Sequence, residues 1–378
     1  MVHRRLIPLV LLAALALALP ASDAAAARRQ VPQGFLGANV SGPMLDPGVG
    51  ASGEFAVMTR AGVESVRLPL FWASMQPSQD GPIDFSVSDR LIGAAAARGV
   101  RVMPTVLTAP AWAALKPGTA YNASPPRDPA TYAAFLTALV HRYGPGGDYW
   151  RAHPGARAVP VRAYQIWNEP GQPYYWTDQP FAPGYVRLLA AARAAIKAAD
   201  RGAQVVLAGL NSGYGYLAWT DLEKVYAAGG GRLFDMAAQN PFSLRTANVI
   251  RSVRSFRTVM ARHGDRRKPM LLTELSWPSS KGRTKTRYGF EVSERDQAKR
   301  ISEAIPLLSR LRAQLHIGGI YWFTWLSPPL GSAEPFDYSG LRRQSAAGIV
   351  SKPALSAWRT AARSLEGCAK STSATRCG

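Results

Sequence analysis

A chain of 378 residues, 47% hydrophobic, is too apolar to be a disordered polycation despite a net charge of +21, and it is long enough to bury a large core. Its two cysteines, Cys368 and Cys377, both lie near the C-terminus, so neither a disulfide framework nor a cysteine-ligated metal centre holds the fold. The excess of 45 basic over 24 acidic residues admits an anionic surface or an acidic polysaccharide as partner, or simply a solvated arginine-rich exterior. No stacking or groove-reading motif accompanies it, which argues against nucleic acid.

In chain order, residues 1–27 read as a signal peptide: Arg4 and Arg5, an apolar stretch from Leu6 to Leu19, and Ala25-Ala26-Ala27 as the cleavage site. That stretch is shorter than the ~18 residues of a spanning helix, and no later one qualifies. The expectation is a secreted protein, extracellular or loosely wall-associated, without integral membrane contact. Residues 28–366 then alternate short apolar runs with amphipathic ones. Strands are predicted at Phe35–Val40, Ser65–Leu70, Arg101–Leu107, Val161–Trp167, Gln204–Gly209, Leu233–Ala237, Pro269–Thr273 and Gly318–Phe323. Helices are predicted at Glu54–Ala61, Ser86–Arg98, Pro129–Tyr143, Pro183–Ala199, Trp219–Ala228, Leu244–His263, Glu294–Leu311 and Ser351–Leu365. The sixth strand is the least defined, since Phe234–Gln239 reads equally as a helical turn. Eight βα units in succession predict a single-domain α/β protein, a (β/α)8 TIM barrel, expected as a monomer. Residues 367–378 form a short tail in which an oxidising compartment lets Cys368 and Cys377 close a small loop.

Two glutamates stand at strand ends. Glu169 follows the fourth strand in Trp167-Asn168-Glu169-Pro170, and Glu274 follows the seventh in Leu272-Thr273-Glu274-Leu275. In a barrel these strands lie across from one another, so both carboxylates reach one mouth. Such a pair is what cleavage of a glycosidic bond requires. Aromatic residues gather just past other strand ends: Trp72, Trp112, Tyr174, Trp176, Trp277 and Trp325. Flat side chains around a cleft stack on the apolar faces of sugar rings, although each serves equally well as loop packing.

With Arg67, Asp128 and Lys352-Pro353-Ala354 added, these motifs resemble the clan A glycoside hydrolases, most closely family 39 and cellulase-like family 5 enzymes of bacteria. The resemblance runs from about Phe35 to Leu365. It implies Glu169 as acid/base, Glu274 as nucleophile, Arg67 beside the nucleophile, Asn168 on the sugar 2-hydroxyl and Trp325 on the floor of the central subsite. Such enzymes act on a polysaccharide or oligosaccharide by a retaining double displacement and need no cofactor. One position departs from the pattern: where many relatives carry His-x-Tyr after strand six, this chain has Asn240-Pro241-Phe242. Asn240 stands where the histidine would be, and Phe242 has no hydroxyl to brace the nucleophile. Tyr214 or Tyr216 could supply one.

Other chemistries find no support. His141, His153, His263 and His316 are isolated from one another, and neither Gly-x-Ser-x-Gly nor a phosphate-cradling glycine loop occurs. A barrel that docks on wall glycan without turnover remains the competing reading. The long aromatic loops after strands three and four favour an endo-acting enzyme. Lys281, Arg283, Lys285 and Arg287 follow Glu274 on the catalytic face and suggest an anionic substrate. Arg251, Arg254 and Arg257, at helical spacing, read as a solvated outer face.

Overall fold

The computed structural model describes residues 29–213 and 215–367. The expected signal peptide, Tyr214 and the Cys368–Cys377 pair lie outside them. Nine parallel strands form one sheet: β1 (Leu36–Asn39), β2 (Ser65–Phe71), β3 (Arg101–Leu107), β4 (Ala163–Ile166), β5 (Gln204–Val206), β6 (Leu210–Ser212), β7 (Ala237–Pro241), β8 (Met270–Leu275) and β9 (Ile317–Trp322). Their spatial order is β5-β4-β3-β2-β1-β9-β8-β7-β6. The strands at the two ends of that order, β5 and β6, are halves of one interrupted run. Bridges from Asn168 to Gly209 and from Val206 to Met236 join the edges beside the interruption. The arrangement therefore fits a (β/α)8 barrel, with helices α1 (Ala51–Arg60), α2 (Ser86–Ala96), α3 (Pro129–Tyr143), α4 (Phe181–Ala199), α5 (Ala218–Ala227), α6 (Thr246–Arg262), α7 (Glu294–Leu315) and α8 (Pro353–Glu366) between and after the strands.

Local chemistry sets the helix starts. Asp128 accepts the Ala130 N–H at 2.9 Å with Pro129 next in line, which fixes the first turn of α3. Ser293 accepts the Asp296 N–H at 3.1 Å at the head of α7, and Pro353 opens α8. No helix of the described residues is long and apolar enough to cross a membrane.

Three expectations need correction. The fifth strand is not continuous, because the ladder passes from β4 to β7 across Leu207–Gly209. The sixth strand lies at Ala237–Pro241 instead of Leu233–Ala237. The apolar signal misled here: Phe234 is buried off the sheet under the Lys268 ammonium, while the real strand carries Gln239 and Asn240 into the interior. Arg257 belongs to no solvated face. It is 7% exposed and donates from Nε to the Leu315 carbonyl (2.9 Å) and from Nη1 to that of Asp265 (3.2 Å), whereas Arg251 and Arg254 are exposed. An arginine with this many carbonyl partners ties helix ends together.

Two backbone irregularities position the carboxylates. Between β8 and β9 the register jumps from Leu272↔Ile320 to Leu275↔Trp322, three residues against two, and the surplus falls at Thr273-Glu274. A bulge of this kind turns a side chain away from its regular alternation. After β4, Trp167 and Glu169 both take positive φ (68° and 44°), a conformation uncommon for residues with side chains, while the Glu169 N–H still bonds the Gly209 carbonyl at 3.1 Å. Gly209 must lack a side chain there, since a Cβ would come within 2.5 Å of Asn240 Oδ1.

Candidate active site

The mouth at the C-terminal ends of the strands opens into a cleft of about 490 Å³. Its working centre is the guanidinium of Arg67, 4% exposed on β2. Nη1 donates to Glu274 Oε1 (2.7 Å) and Asn39 Oδ1 (2.8 Å), Nη2 to Asn168 Oδ1 (2.8 Å), and Nε to Gln165 Oε1 (2.6 Å). Four acceptors, from β1, β8 and β4 with its C-terminal end, thus fix one planar cation. Asn39 and Gln165 are anchored in turn, Asn39 to the Thr273 carbonyl (2.9 Å) and Gln165 to that of Leu207 (3.0 Å). The short apolar strands around them leave these polar residues no other role than to line the barrel's upper layer, yet the sequence reading passed over both.

Glu169 has different company. Asn240 Nδ2 donates to its Oε1 at 2.6 Å, and Gln172 Nε2 donates to Oε2. Asn240 is itself oriented by the Thr273 hydroxyl, which donates to its Oδ1 at 2.6 Å. Burial, then the negative charge of Glu274, pushes the Glu169 carboxyl up to about 8, against the opposing pull of Asn240, Arg67 and Gln172. Burial also raises Glu274, but the Arg67 charge and hydrogen bond act against that rise. Of the two carboxyls, Glu169 is therefore the one that keeps its proton at neutral pH. Two carboxyls in unlike surroundings with their titrations driven apart meet the electrostatic requirement for an acid and a base in one site.

The expected sugar-binding residues divide sharply. Asn168 lies at the cleft with its amide oxygen taken by Arg67, which leaves its NH2 as the donor, and Tyr174 stands at the rim, 49% exposed. Asn240 is fully buried, bonds Glu169 and does not line the cleft. Trp72, Trp176, Trp277 and Trp325 are not at the cleft. Trp72 stacks on Phe135 and bonds Gln76; Trp176 packs edge-on against Trp167 at 5.3 Å; Trp277 donates to the Leu244 carbonyl at 3.1 Å. Trp325 gives its N–H to Glu54 Oε2 at 2.8 Å and is completely buried. Trp112 is half-buried edge-on to Trp72 at 5.3 Å, with its N–H on the Gln76 carbonyl. A large aromatic beside a strand end is worth more as core than as platform when helices close over it.

The cleft's own aromatic residues are Phe71, Tyr121, Trp167, Tyr174, Tyr175, Phe323 and Phe336. Tyr121, 70% exposed, faces Tyr174 with ring centroids 4.7 Å apart. Burial, then the charges of Glu169 and Glu274, holds the Tyr175 phenol well above its usual range, so this cleft residue keeps its hydroxyl proton. Phe242 stacks on Phe290 at 5.5 Å and adds to an apolar wall, with no hydroxyl from Tyr216 bonded to either glutamate. The Tyr174-Tyr175-Trp176 run in the sequence was the available signal, but it does not say which of the three rings turns inward.

The pH dependence follows from Asn240. Its N–H favours the ionised form of Glu169, so Asn240→Ala is expected to raise the alkaline limb of the kcat/KM profile above the wild-type value near 8. A limb that stays in place or moves down in the variant removes Asn240 from this role.

No family model and no curated protein sequence matches the chain. Solved structures do. A family 39 glycoside hydrolase from Bacteroides cellulosilyticus WH2 superposes with a TM-score of 0.66 at 15% identity, over 88% of this chain and 64% of that one. A family 39 β-xylosidase from Caulobacter crescentus gives 0.60 at 17% identity, over 88% and 72%. An endo-β-1,4-glucanase from Xanthomonas axonopodis pv. citri gives 0.55 at 15% identity, over 87% and 99%. The fold is thus that of clan A glycoside hydrolases, with family 39 among its likenesses, and this chain spans somewhat under two thirds of the Bacteroides enzyme's length.

Proposed function

We propose that the protein is an exported, retaining β-glycosidase that cleaves O-glycosidic bonds within a polysaccharide. The observation that carries this reading is the difference between the two buried glutamates, one ion-paired to Arg67 and one with its carboxyl pushed up to about 8, so that it keeps its proton at neutral pH. Arg67 occupies Glu274 Oε1, so Oε2 is the oxygen that attacks the anomeric carbon. As that bond forms, the anomeric C–O bond breaks and Glu169 gives its proton to the departing oxygen. Water then attacks the anomeric carbon, losing its proton to Glu169, and the glycosyl–Glu274 bond breaks with the anomeric configuration retained. The Asn168 NH2 is placed to bond a sugar hydroxyl, and Tyr175 offers its phenol beside the nucleophile.

Neighbouring folds include a β-xylosidase, an exo-β-1,4-mannosidase and endo-β-1,4-glucanase and β-1,4-galactanase structures, which supports β-linked sugars as the substrate class. An open cleft with an aromatic rim supports attack inside a chain. Purified protein should release reducing ends from at least one member of a panel of β-linked polysaccharides. The first product, followed by NMR, should carry the β-anomer, and early products should be a series of oligosaccharides. Release of α-anomer overturns retention, a lone monosaccharide overturns endo action, and binding without any release supports the docking-only barrel.

A further inference from the structure

The segment from Lys281 to Glu291 leaves β8 on the catalytic side and folds back on itself, with the Lys281 N–H on the Val292 carbonyl (3.2 Å) and the Val292 N–H on that of Pro278 (2.9 Å). It packs behind the cleft wall, which none of its own residues lines. The Tyr288 phenol donates to Glu334 Oε2 at 2.8 Å, and the Tyr288 and Phe290 rings lie 5.2 and 5.7 Å from Phe336, a cleft residue. Beneath this loop is a separate cavity of about 270 Å³, lined by Lys281, Arg287, Thr284, Ser280, Glu291 and Leu244. At most about 25 Å of chain separates Lys281 from Glu274, since seven residues span no more than ~3.6 Å each.

Three observations give this cavity a chemistry. Lys281, Arg283, Lys285 and Arg287 are all exposed, and none is ion-paired to a described carboxylate, unlike Arg300 with Glu303 or Arg343 with Glu294 nearby in sequence. Glu291, the one acid in the lining, spends its oxygens on the loop's own N–H groups at Tyr288 and Gly289. Ser280 is 1% exposed and is one of the lining residues, and its hydroxyl, shielded from solvent, has no hydrogen-bond partner. A buried hydroxyl left without a partner is costly, and a ligand oxygen removes the cost. Leu244, 41% exposed, supplies an apolar surface beside these donors.

We propose that this cavity is a carboxylate-binding subsite that takes a uronic-acid residue of the glycan, displaced along the chain from the bond being cut. The proposal rests on the glycosidase reading for its meaning but not for its test. Arg287 offers a fork that matches a carboxylate, Lys281 a second cation, and Ser280 a neutral donor, while the sugar ring lies against Leu244. Because the cations are exposed, part of the attraction is screened by salt over about 8 Å, whereas the buried serine contact is not.

The test is affinity electrophoresis through gels containing a uronic-acid polysaccharide or the same polymer after carboxyl reduction, using protein with Glu274→Gln so that the polymer stays intact. The acidic polymer should retard the protein, and the reduced polymer much less. Lys281→Gln/Arg287→Gln should weaken the acidic interaction roughly tenfold or more, the loss expected for charge-assisted bonds. Arg251→Gln/Arg254→Gln removes the same net charge from the outer ring and should leave the retardation in place. Ser280→Ala should weaken binding at a salt concentration that already screens the cations. Equal losses in the two double variants, or none in either, overturn the subsite in favour of overall charge. Failure of the glycosidase reading is seen separately, as wild-type protein that releases no reducing ends while the retardation stands.

Discussion

Glu274→Gln is expected to lower turnover by on the order of 10⁴- to 10⁶-fold, the scale on which removing an enzymatic nucleophile acts. The amide is nearly isosteric and can still accept a hydrogen bond from Arg67, so the fold and the polar network around Asn39, Gln165 and Asn168 should survive. What disappears is the negative charge that attacks the anomeric carbon and forms the covalent glycosyl-enzyme. A second consequence separates this from simple loss of structure. The Glu274 charge is one of the forces that raise Glu169, so in the variant the Glu169 carboxyl should titrate at lower pH. Mass spectrometry of wild-type protein stopped with a slow 2-fluoro glycoside should find the label on Glu274. A label on Glu169 reverses the two roles, and full activity in Glu274→Gln removes the mechanism altogether.

How much of this was legible in the sequence depends on what each residue answers to. The eight-unit periodicity and the span Pro129–Tyr143 are local patterns, and the structure has both. The pairing of Glu274 with Arg67 was available only through the resemblance, since a buried arginine can equally be satisfied by carbonyls, as Arg257 is. Failures occurred where the interior is polar. Gln239 and Asn240 in β7 hid a strand whose apolar signature was displaced onto Leu233 and Phe234, the latter packing away from the sheet. The tryptophans failed for the opposite reason. Trp72, Trp277 and Trp325 follow strand ends in the chain, but their indole N–H groups find partners in Gln76, Leu244 and Glu54, and that satisfied environment is what permits full burial. Spacing alone carries no record of which way a ring turns. Likewise Tyr175 and Trp176 are neighbours, yet the tyrosine lines the cleft while the tryptophan packs edge-on against Trp167 and Tyr185.

Glu169→Ala should show the other half of the mechanism, with an outcome that depends on the leaving group. For a natural glycan, whose departing alkoxide needs a proton, kcat is expected to fall about 10²- to 10⁴-fold, the usual contribution of a positioned general acid. For an aryl glycoside with an acidic phenol, the first step needs no proton, so Arg67-paired Glu274 should still form the intermediate and a burst of phenol should precede slow turnover. Azide, a small anion that attacks without a base, should then restore turnover and yield the β-glycosyl azide. The alkaline limb near pH 8 should vanish as well, because it reports the Glu169 proton. The substitution also strips Asn240 and Gln172 of a shared acceptor, and a merely structural role for Glu169 would show as lost stability with no dependence on the leaving group and no rescue. An α-glycosyl azide would be equally decisive, since it requires a single displacement and hence no covalent step at Glu274. The two carboxyl groups should accordingly lie roughly 5 to 5.5 Å apart in a crystal structure, because a retaining site holds no water between nucleophile and sugar.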